Sequence, residues 1–265
     1  MKSGSLTVVG TGIQLLCQLT SEARFHIEKS DKVLYLVADL TTVLWIRKTN
    51  PSAESLYSFY APGKNRLTSY LEMVERILFF VRQGLEVCAA FYGHPGIFAY
   101  PSHEAVKRAR CEGFSAKMLP GISAEDCLFA DLNIDPGTSG CQSFEATDFL
   151  IYKRKFDPTC SLILWQIGVI GNLDYNIESQ NYQGVCVLTD YLHQYYTPEH
   201  QVTIYEAAQY PICAPKIHQV PLARLPEALV TGISTLYIPP LKLAVPDAEM
   251  LQRLGMLSFS DSSEL

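Results

Sequence analysis

The feature that most constrains the fold is the stretch at residues 87–100, which reads V-C-A-A-F-Y-G-H-P-G-I-F-A-Y. Its first six residues are apolar and include β-branched and aromatic side chains, a pattern that predicts a buried strand. Two glycines and a proline follow and predict a tight loop whose backbone can approach a ligand closely. In open α/β sheets, ligands bind beyond the carboxyl ends of the strands, where this loop would lie. From spacing alone, a plain turn between a strand and a helix explains the stretch equally well.

A second loop of small residues, at positions 118–121, leads into a segment that begins at Ser123. Serine is a favourable N-cap, and Glu125 and Asp126 would occupy the first helical turn, where carboxylates interact favourably with the helix dipole. The sequence therefore predicts a second loop that opens directly into a helix.

Together the two motifs, F-Y-G-H-P-G-I-F and L-P-G-I-S-A-E-D-C-L-F-A-D-L, resemble the tetrapyrrole-methylase-like methyltransferases, which use S-adenosylmethionine (SAM). Within them the chain is most similar to the borosin peptide-backbone N-methyltransferases, because most other members carry G-D-P where this chain has G-H-P. The resemblance implies an α/β fold of two lobes, each a mixed sheet flanked by helices, with SAM in the cleft between them. It further implies an N-terminal lobe at residues 1–135, a C-terminal lobe at 136–240 and an extension at 241–265.

The composition of the chain argues against several classes of function. The chain has 265 residues, 48% of them hydrophobic, and a net charge of −6. Without a basic stripe, this balance argues against a nucleic-acid partner. The eight cysteines include no C-x-x-C pair, which argues against a zinc site and is typical of reduced thiols. We also find no signal peptide and no apolar run of about 18 residues, so we expect a cytoplasmic protein without a membrane span.

The N-terminal segment gives a weaker indication of a ligand-binding loop. Residues 5–9 predict a strand that runs into Gly10-Thr11-Gly12, followed by an apolar helix with Gln14, Leu15, Leu16 and Leu19. Backbone N–H groups at such a helix start suit an anionic group, but a lone G-x-G is weak support. Residues 32–38 predict a second buried strand, after which Asp39 either caps the next helix or holds a cofactor hydroxyl.

The polar stretch at residues 55–70 contains the candidate catalytic residues. Tyr57 and Tyr60 share a face if they form a helical turn, and Arg66 and Tyr70 lie one turn apart at the start of a periodic helix. In an unknown family, tyrosines on a surface loop are the simpler interpretation. Borosin methyltransferases carry a tyrosine–arginine–tyrosine set at this spacing, so the resemblance implies catalytic roles for these four residues.

The second half of the chain predicts further strands. Residues 161–170 form a buried strand that contains Gln166, whose amide needs a backbone or ligand partner. Residues 183–189 and 202–207 predict two strands around a helix at 190–196, and residues 231–234 form a turn before the last strand. A short helix at 248–254 precedes a polar, mobile tail at 258–265. The resemblance implies that the cofactor is held by Gly10, Gly12, Tyr92, His94, Pro95, Phe98, Ser123, Ala124, Gln166, Ala207, Ser234 and Thr235.

The activity implied is SAM-dependent methylation of backbone amide nitrogens, with S-adenosylhomocysteine as product and no metal. In this reading Arg66 stabilises negative charge on the amide oxygen, Tyr60 and Tyr70 remove or share the amide proton, and Tyr57 supports them. The sequence contains no plausible core peptide, so we expect a separate precursor peptide methylated in trans. Family members are dimers, which implies a homodimer that binds two precursors as a heterotetramer.

Two alternatives stay open at this stage. The same fold methylates small tetrapyrroles, whose carboxylates would require several lysines or arginines near the loops; the basic clusters at 107–110 and 153–155 are distant in sequence from the tyrosines. A SAM-binding module without chemistry would tolerate the loss of Arg66 and the tyrosines, yet all are present.

Overall fold

The computed structural model describes residues 4–14, 16–37, 39–172 and 181–256, in which two five-stranded sheets follow each other along the chain. In these ranges no helix is long and apolar enough to cross a membrane. The strands are β1 (Ser5–Gly10), β2 (Lys32–Leu36), β3 (Glu54–Ser55), β4 (Glu86–Phe91), β5 (Ser115–Met118), β6 (Cys141–Glu145), β7 (Ser161–Trp165), β8 (Gln201–Glu206), β9 (Lys216–Pro221) and β10 (Thr235–Ile238). The helices are α1 (Ser21–Lys29), α2 (Leu40–Thr49), α3 (Arg66–Arg82), α4 (Tyr100–Cys111), α5 (Ala124–Leu132), α6 (Pro136–Ser139), α7 (Ala146–Ile151), α8 (Tyr182–Leu192) and α9 (Ala248–Arg253).

The first sheet has the order β3-β2-β4-β1-β5, and all its described pairings are parallel. The second has the order β6-β7-β10-β8-β9, in which only β6 and β7 run parallel. The two-lobed α/β architecture is confirmed, and the mixed strand directions belong to the second sheet. The parallel arrangement brings the carboxyl ends of β1, β2, β4 and β5 to one edge.

Both faces of the first sheet are covered, which explains the unbroken apolar run in β4. Side chains alternate between the faces of a strand. Leu6 and Val8 of β1 therefore pack with α3 and α4, whereas Val9 packs with α1 and α2. In β4, Ala89 belongs to the first cluster and Ala90 to the second. A strand buried on both sides has no solvated face, so its sequence shows no polar alternation.

Helix α5 joins the two sheets. Its residues Cys127 and Leu128 pack in one buried cluster with Ile163 of β7 and Tyr205 of β8. Tyr205 is fully buried, and its hydroxyl donates to the Asp131 carboxylate over 2.6 Å. The second sheet is therefore attached to the first through a helix that follows β5.

Several local predictions are confirmed. β1, β2, β4, β8 and β10 lie where the sequence predicts strands, and α3 begins at Arg66. Ser123 caps α5 in a capping box with Asp126. Asp39 caps α2, accepting from the Thr42 N–H at 2.6 Å.

The helix predicted directly after Gly12 is wrong. The side-chain oxygen of Gln18 accepts from the N–H groups of Ile13 and Gln14, at 2.9 and 3.0 Å, and closes a loop instead. α1 begins only after Thr20, whose side chain caps it. Two backbone donors expected to face an anion are thus already satisfied within the loop.

The strand predicted at residues 183–189 is also wrong, because this segment belongs to α8. Val185, Leu188 and Leu192 are buried at helical spacing, and the Asn181 side chain caps the first turn. The helix expected at 190–196 is therefore only the last turn of α8. At the C-terminal end, by contrast, the predicted short helix is confirmed as α9.

Some predicted features reach outside the described residues: Leu15 in the first predicted helix, Ala38 at the end of the second predicted strand, and the tail at 258–265. Between β5 and β7 the chain forms α5, α6 and β6. The lobe boundary between positions 135 and 136 stays a prediction.

Candidate functional site

A cleft of about 690 Å³ lies at the carboxyl ends of the first sheet and is lined by residues from both sheets. From the first half of the chain, it is lined by Ile13, Leu36, Val37, Tyr57, Tyr60, Tyr70, Phe91, Tyr92, Gly93, His94, Ile97, Phe98, Ala99, Pro101, Ser123 and Ala124. From the second half, it is lined by Trp165, Gln166, Ala207, Ile233 and Thr235. The predicted ligand loop after β4 therefore contributes to the cleft over most of its length.

One wall, here called the glycine wall, consists of Gly10, Gly12, Gly93, His94 and Pro95. Gly12 and Gly93 exchange backbone hydrogen bonds at 3.0 and 3.3 Å. A Cβ on Gly10 would lie 2.2 Å from the Gly93 carbonyl oxygen and 2.8 Å from Pro95 Cδ. Gly10, Gly12 and Pro95 therefore lie behind the lining and hold it in place, while Gly93 and His94 reach the cleft.

His94 has a defined orientation in this wall. Its Nδ1 accepts a hydrogen bond from the Gly96 N–H over 2.9 Å. In the neutral ring the hydrogen must then be on Nε2, which makes that atom a donor. On the other side of the loop, His103 Nε2 donates to the Gly96 carbonyl over 2.8 Å.

Tyr92 lines the cleft as a neutral phenol. Burial raises its pKa to about 12, and the proximity of Cys127 and Asp39 adds to the shift. Near neutral pH its hydroxyl can donate or accept a hydrogen bond but will not act as an ionised base. Asp39 itself is used as a helix cap and does not line the cleft.

On the second sheet, Glu206 anchors the turn that precedes β10. Thr231 donates to its carboxylate at 2.8 Å, Ser234 donates to it as well, and Lys216 pairs with it at 3.2 Å. Burial alone would raise the pKa of Glu206, but these partners lower it below its ordinary value. Ser234 is fully buried in this network, so of the two residues predicted in this turn only Thr235 lines the cleft.

The opposite wall, here called the tyrosine wall, consists of Tyr57, Tyr60 and Tyr70. The Tyr60 ring makes edge contacts with both others, with centroids 5.6 Å from Tyr57 and 6.2 Å from Tyr70. Tyr100 stacks on Tyr70 from outside, at 6.2 Å and 27°. Arg66 is the first residue of α3, one turn before Tyr70, and is not among the lining residues. The structure thus brings the three predicted tyrosines together in the cleft, whereas Arg66 lies one helical turn before Tyr70 and outside the lining.

No sequence motif indicated Trp165, the last residue of β7. It lines the cleft, lies 5.7 Å from the Phe98 ring, and donates from Nε1 to Ser143 Oγ over 2.6 Å. An aromatic side chain at the carboxyl end of a strand was the signal available. Gln166, expected inside the strand, follows its end in a left-handed conformation (φ 61°) and lines the cleft.

The cleft is uncharged at its lining. Neither lysine nor arginine is among the described residues that line it. In the described ranges, no group of three or more His, Cys, Asp or Glu side chains could hold a metal ion. At the tyrosine side it opens to solvent, since Tyr57 is 50% and Phe98 54% exposed.

The first sheet is parallel and has a ligand-sized cleft at its carboxyl edge. A second, mixed sheet lines the other part of this cleft. This arrangement defines a class of two-lobed α/β proteins. This chain belongs to the Tetrapyrrole (Corrin/Porphyrin) Methylases, whose family model matches residues 5–161.

Its relatives narrow the position within that family. The chain is 43% identical over 261 residues to a methyltransferase and ribosomally synthesized cyclic peptide (gymnopeptides) precursor of Gymnopus fusipes, covering 97% of this chain and 62% of the relative. It is 40% identical to a methyltransferase and type I borosin cyclic peptide precursor of Coprinopsis marcescibilis, covering 99% and 69%. The resemblance to the borosin methyltransferases is thereby confirmed, although the chain spans only 62% of the length of several of these relatives.

Solved structures show the same fold. A crystal structure of uroporphyrin-III C-methyltransferase from Thermus thermophilus matches 98% of this chain and 99% of that one, with a TM-score of 0.63. At 17% identity, this likeness concerns the fold alone.

Proposed function

We propose that this protein is a SAM-dependent methyltransferase that methylates backbone amide nitrogens of a peptide. The observation that carries the proposal is the tyrosine wall, where Tyr57, Tyr60 and Tyr70 converge on one cleft opposite the glycine wall. The names of the relatives support it, since they join a methyltransferase to a ribosomal peptide precursor.

The residues of the cleft fit SAM. Its volume, about 690 Å³, is typical of small-molecule and cofactor sites, and the lining is mostly apolar with a few polar groups. Gly93 lines the cleft without a side chain, so a ligand can approach its backbone closely. Tyr92, His94, Gln166 and Thr235 would hold the polar parts of the cofactor, and Ala124 and Ala207 its flat parts. SAM supplies an activated methyl group.

An amide nitrogen is a poor nucleophile because its lone pair is delocalised into the carbonyl group. The protein must therefore hold the amide in place and control its proton and charge. In the proposed mechanism a tyrosine of the wall, Tyr60 or Tyr70, accepts or shares the amide proton. Arg66, which carries a permanent charge, stabilises the negative charge that then develops on the carbonyl oxygen. Tyr57 orients Tyr60 through their edge contact.

A small polycarboxylate is the weaker candidate. Recognition of such a substrate requires cations at the site. The cleft lining contains no lysine or arginine among the described residues, whereas aromatic side chains suit an uncharged peptide.

We further propose that the peptide can be supplied as a separate molecule. The rim at Tyr57 and Phe98 is half exposed, so an acceptor has access from solvent. The relatives' names describe methyltransferase and precursor as one protein and so support the peptide but not its separation. A homodimer carrying two precursors is the corresponding assembly, which the mass of the complex in solution would establish.

The deciding experiment is mass spectrometry of synthetic peptides with apolar side chains after incubation with the protein and SAM. The expected result is a gain of one methyl group per event, localised to backbone nitrogens by fragmentation. A tetrapyrrole polycarboxylate serves as the competing substrate. Transfer to that compound and to no peptide would overturn the proposal, and tight SAM binding without any transfer would favour a binding module.

A further inference from the structure

A second groove of about 610 Å³, here called the flanking groove, begins where the cleft ends. Four residues line both cavities: Tyr70, Phe98, Ala99 and Gln166. The groove then runs outward between the lobes, with Tyr100 and His103 of α4 on one side and residues of β6 and α7 on the other. The two cavities therefore meet at the tyrosine wall.

A polypeptide acceptor makes such a continuation necessary. Unlike a small molecule, a peptide extends on both sides of the methylated residue, by about 3.3 Å for each extended residue. The cleft is closed at Ile13, which belongs to the buried cluster that joins the sheets. Phe98 is 54% exposed and lines both cavities together with Tyr70, so one flank of the peptide can leave the cleft past these two residues.

The chemistry of the flanking groove differs from that of the cleft. Its lining includes His103, Glu145, Asp148 and Arg154, whereas the cleft has no acidic residue, lysine or arginine among its described lining residues. Glu145 is used locally, since it caps α7 by accepting from Asp148 N at 2.8 Å and from Thr147 Oγ1 at 3.0 Å.

Arg154 is the cation that this groove offers to a ligand. Its guanidinium lies 4.9 Å from the Tyr152 ring centroid, and no ion pair joins it to a carboxylate in the described ranges. A guanidinium held on an aromatic face keeps its N–H groups in one plane and directs them at oxygen acceptors. Main-chain carbonyls and carboxylates of a peptide are such acceptors.

We propose that the flanking groove binds the polypeptide on one side of the acceptor residue, with Arg154 donating to its oxygen atoms. This inference rests on the proposed function and adds to it the place where the substrate outside the cleft is recognised. Arg154 is a binding residue in this scheme and takes no part in methyl transfer.

The test compares three synthetic peptides that share one acceptor residue: a long peptide, and versions shortened on the N-terminal or the C-terminal side. Arg154→Glu should raise the KM for the long peptide about tenfold, corresponding to the loss of one charged hydrogen bond. The kcat and the SAM Kd should not change. For the peptide that lacks the bound flank, the variant and the wild type should have the same KM, which also identifies the flank.

Lys155→Glu is the matched control, because it makes the same charge change next to Arg154 on a residue that does not line the groove. Arg154→Lys should recover part of the affinity, and added salt should weaken the long peptide more than the short one. An unchanged KM for the long peptide, or an equal rise for all three peptides, would overturn the proposal. Failure of the proposed function would look different: the wild type itself would transfer no methyl group to any of them, and the groove proposal would fall with it.

Discussion

The glycine wall is held by backbone contacts, whereas the tyrosine wall on the other side of the cleft is held by ring contacts. Gly12 and Gly93 are joined by hydrogen bonds, and Gly10 has no room for a single additional carbon atom. The tyrosine rings touch at centroid distances of 5.6 and 6.2 Å, and Tyr57 is half exposed. The rigid wall is suited to a constant ligand such as a cofactor. The exposed wall is suited to an acceptor that enters from solvent.

The largest expected effect on SAM binding comes from placing one carbon atom in the glycine wall. In Gly10→Ala the new Cβ would meet the Gly93 carbonyl oxygen at 2.2 Å, so the loop must move. We expect SAM affinity, measured by calorimetry, to fall about 100-fold, since small displacements in a site have effects of this size. Overpacking should also lower the free energy of unfolding by about 1–3 kcal/mol.

Gly63→Ala is the matched control for that variant. Gly63 has a positive φ, 70°, which Gly10 does not, and an added Cβ there would meet no atom within 4 Å. It should destabilise the protein by about 1–2 kcal/mol without altering SAM affinity. If the two variants bind SAM equally well, the glycine wall does not hold the cofactor.

Tyr60→Phe and Arg66→Ala test the other wall. Each should lower the rate of methyl transfer by about 10²–10⁴, the usual contribution of a proton-transferring group, and leave the SAM Kd within about twofold. Single-turnover mass measurements and calorimetry provide the two values. Tyr210→Phe is the control, because Tyr210 is exposed and lines neither the cleft nor the flanking groove. Wild-type turnover by either test variant would contradict the assignment.

A smaller effect is expected at Glu206, which fixes the turn before β10. Glu206→Gln should raise the SAM Kd about tenfold through loss of charged hydrogen bonds and leave the KM for the peptide unchanged. Because the folded state lowers the pKa of this carboxylate, its contribution to stability is present above the ordinary value of 4.5 and is lost as the pH falls through the lowered pKa.

Thermal unfolding between neutral and acidic pH measures that contribution. The wild type should lose more stability than Glu206→Gln over the acidic range. Glu227→Gln, at an exposed ion pair with Arg224, should behave like the wild type. If the stability of wild type and Glu206→Gln changes with pH in the same way, the hydrogen bonds of Glu206 contribute nothing to the free energy of unfolding.

Tyr92→Phe should have the smallest effect. With a pKa of about 12, Tyr92 stays protonated over the working range and contributes only a hydrogen bond. The transfer rate should fall by less than about tenfold, and the basic limb of the pH–rate profile should keep its position. Loss of that limb in the variant would instead make Tyr92 the base.

The parts of the fold that depend on local chemistry could be predicted from the sequence. The apolar run of β4 and the Ser123 cap are examples, since both depend on neighbours in the chain. The loop at Gln18 could not, because the G-x-G pattern favours a helix start and does not show that the Gln18 side chain accepts from Ile13 and Gln14 instead. In α8 the β-branched valines favoured a strand, and helical burial against the second sheet overrode them.

The residues of the candidate site also fall into two groups: those that a local sequence pattern indicates and those that depend on distant contacts. The motifs identified Tyr92, His94 and the tyrosines, which line the cleft, because each lies in or near a short recognisable pattern. Ser234 has the right position in sequence but turns toward Glu206, a residue 28 positions earlier. Trp165 reaches the cleft only because the second sheet closes over the first. Such placements depend on how the sheets meet, which no local pattern records.

Helix α5 has a consequence for how the molecule unfolds. It follows the last strand of the first sheet, yet Cys127 and Leu128 are buried against the second, and Asp131 holds Tyr205. Neither sheet can expose its inner face without exposing that of the other, so the two should melt in one cooperative transition. The amides of α5 should then exchange with deuterium only through global unfolding, as slowly as those of the central strands.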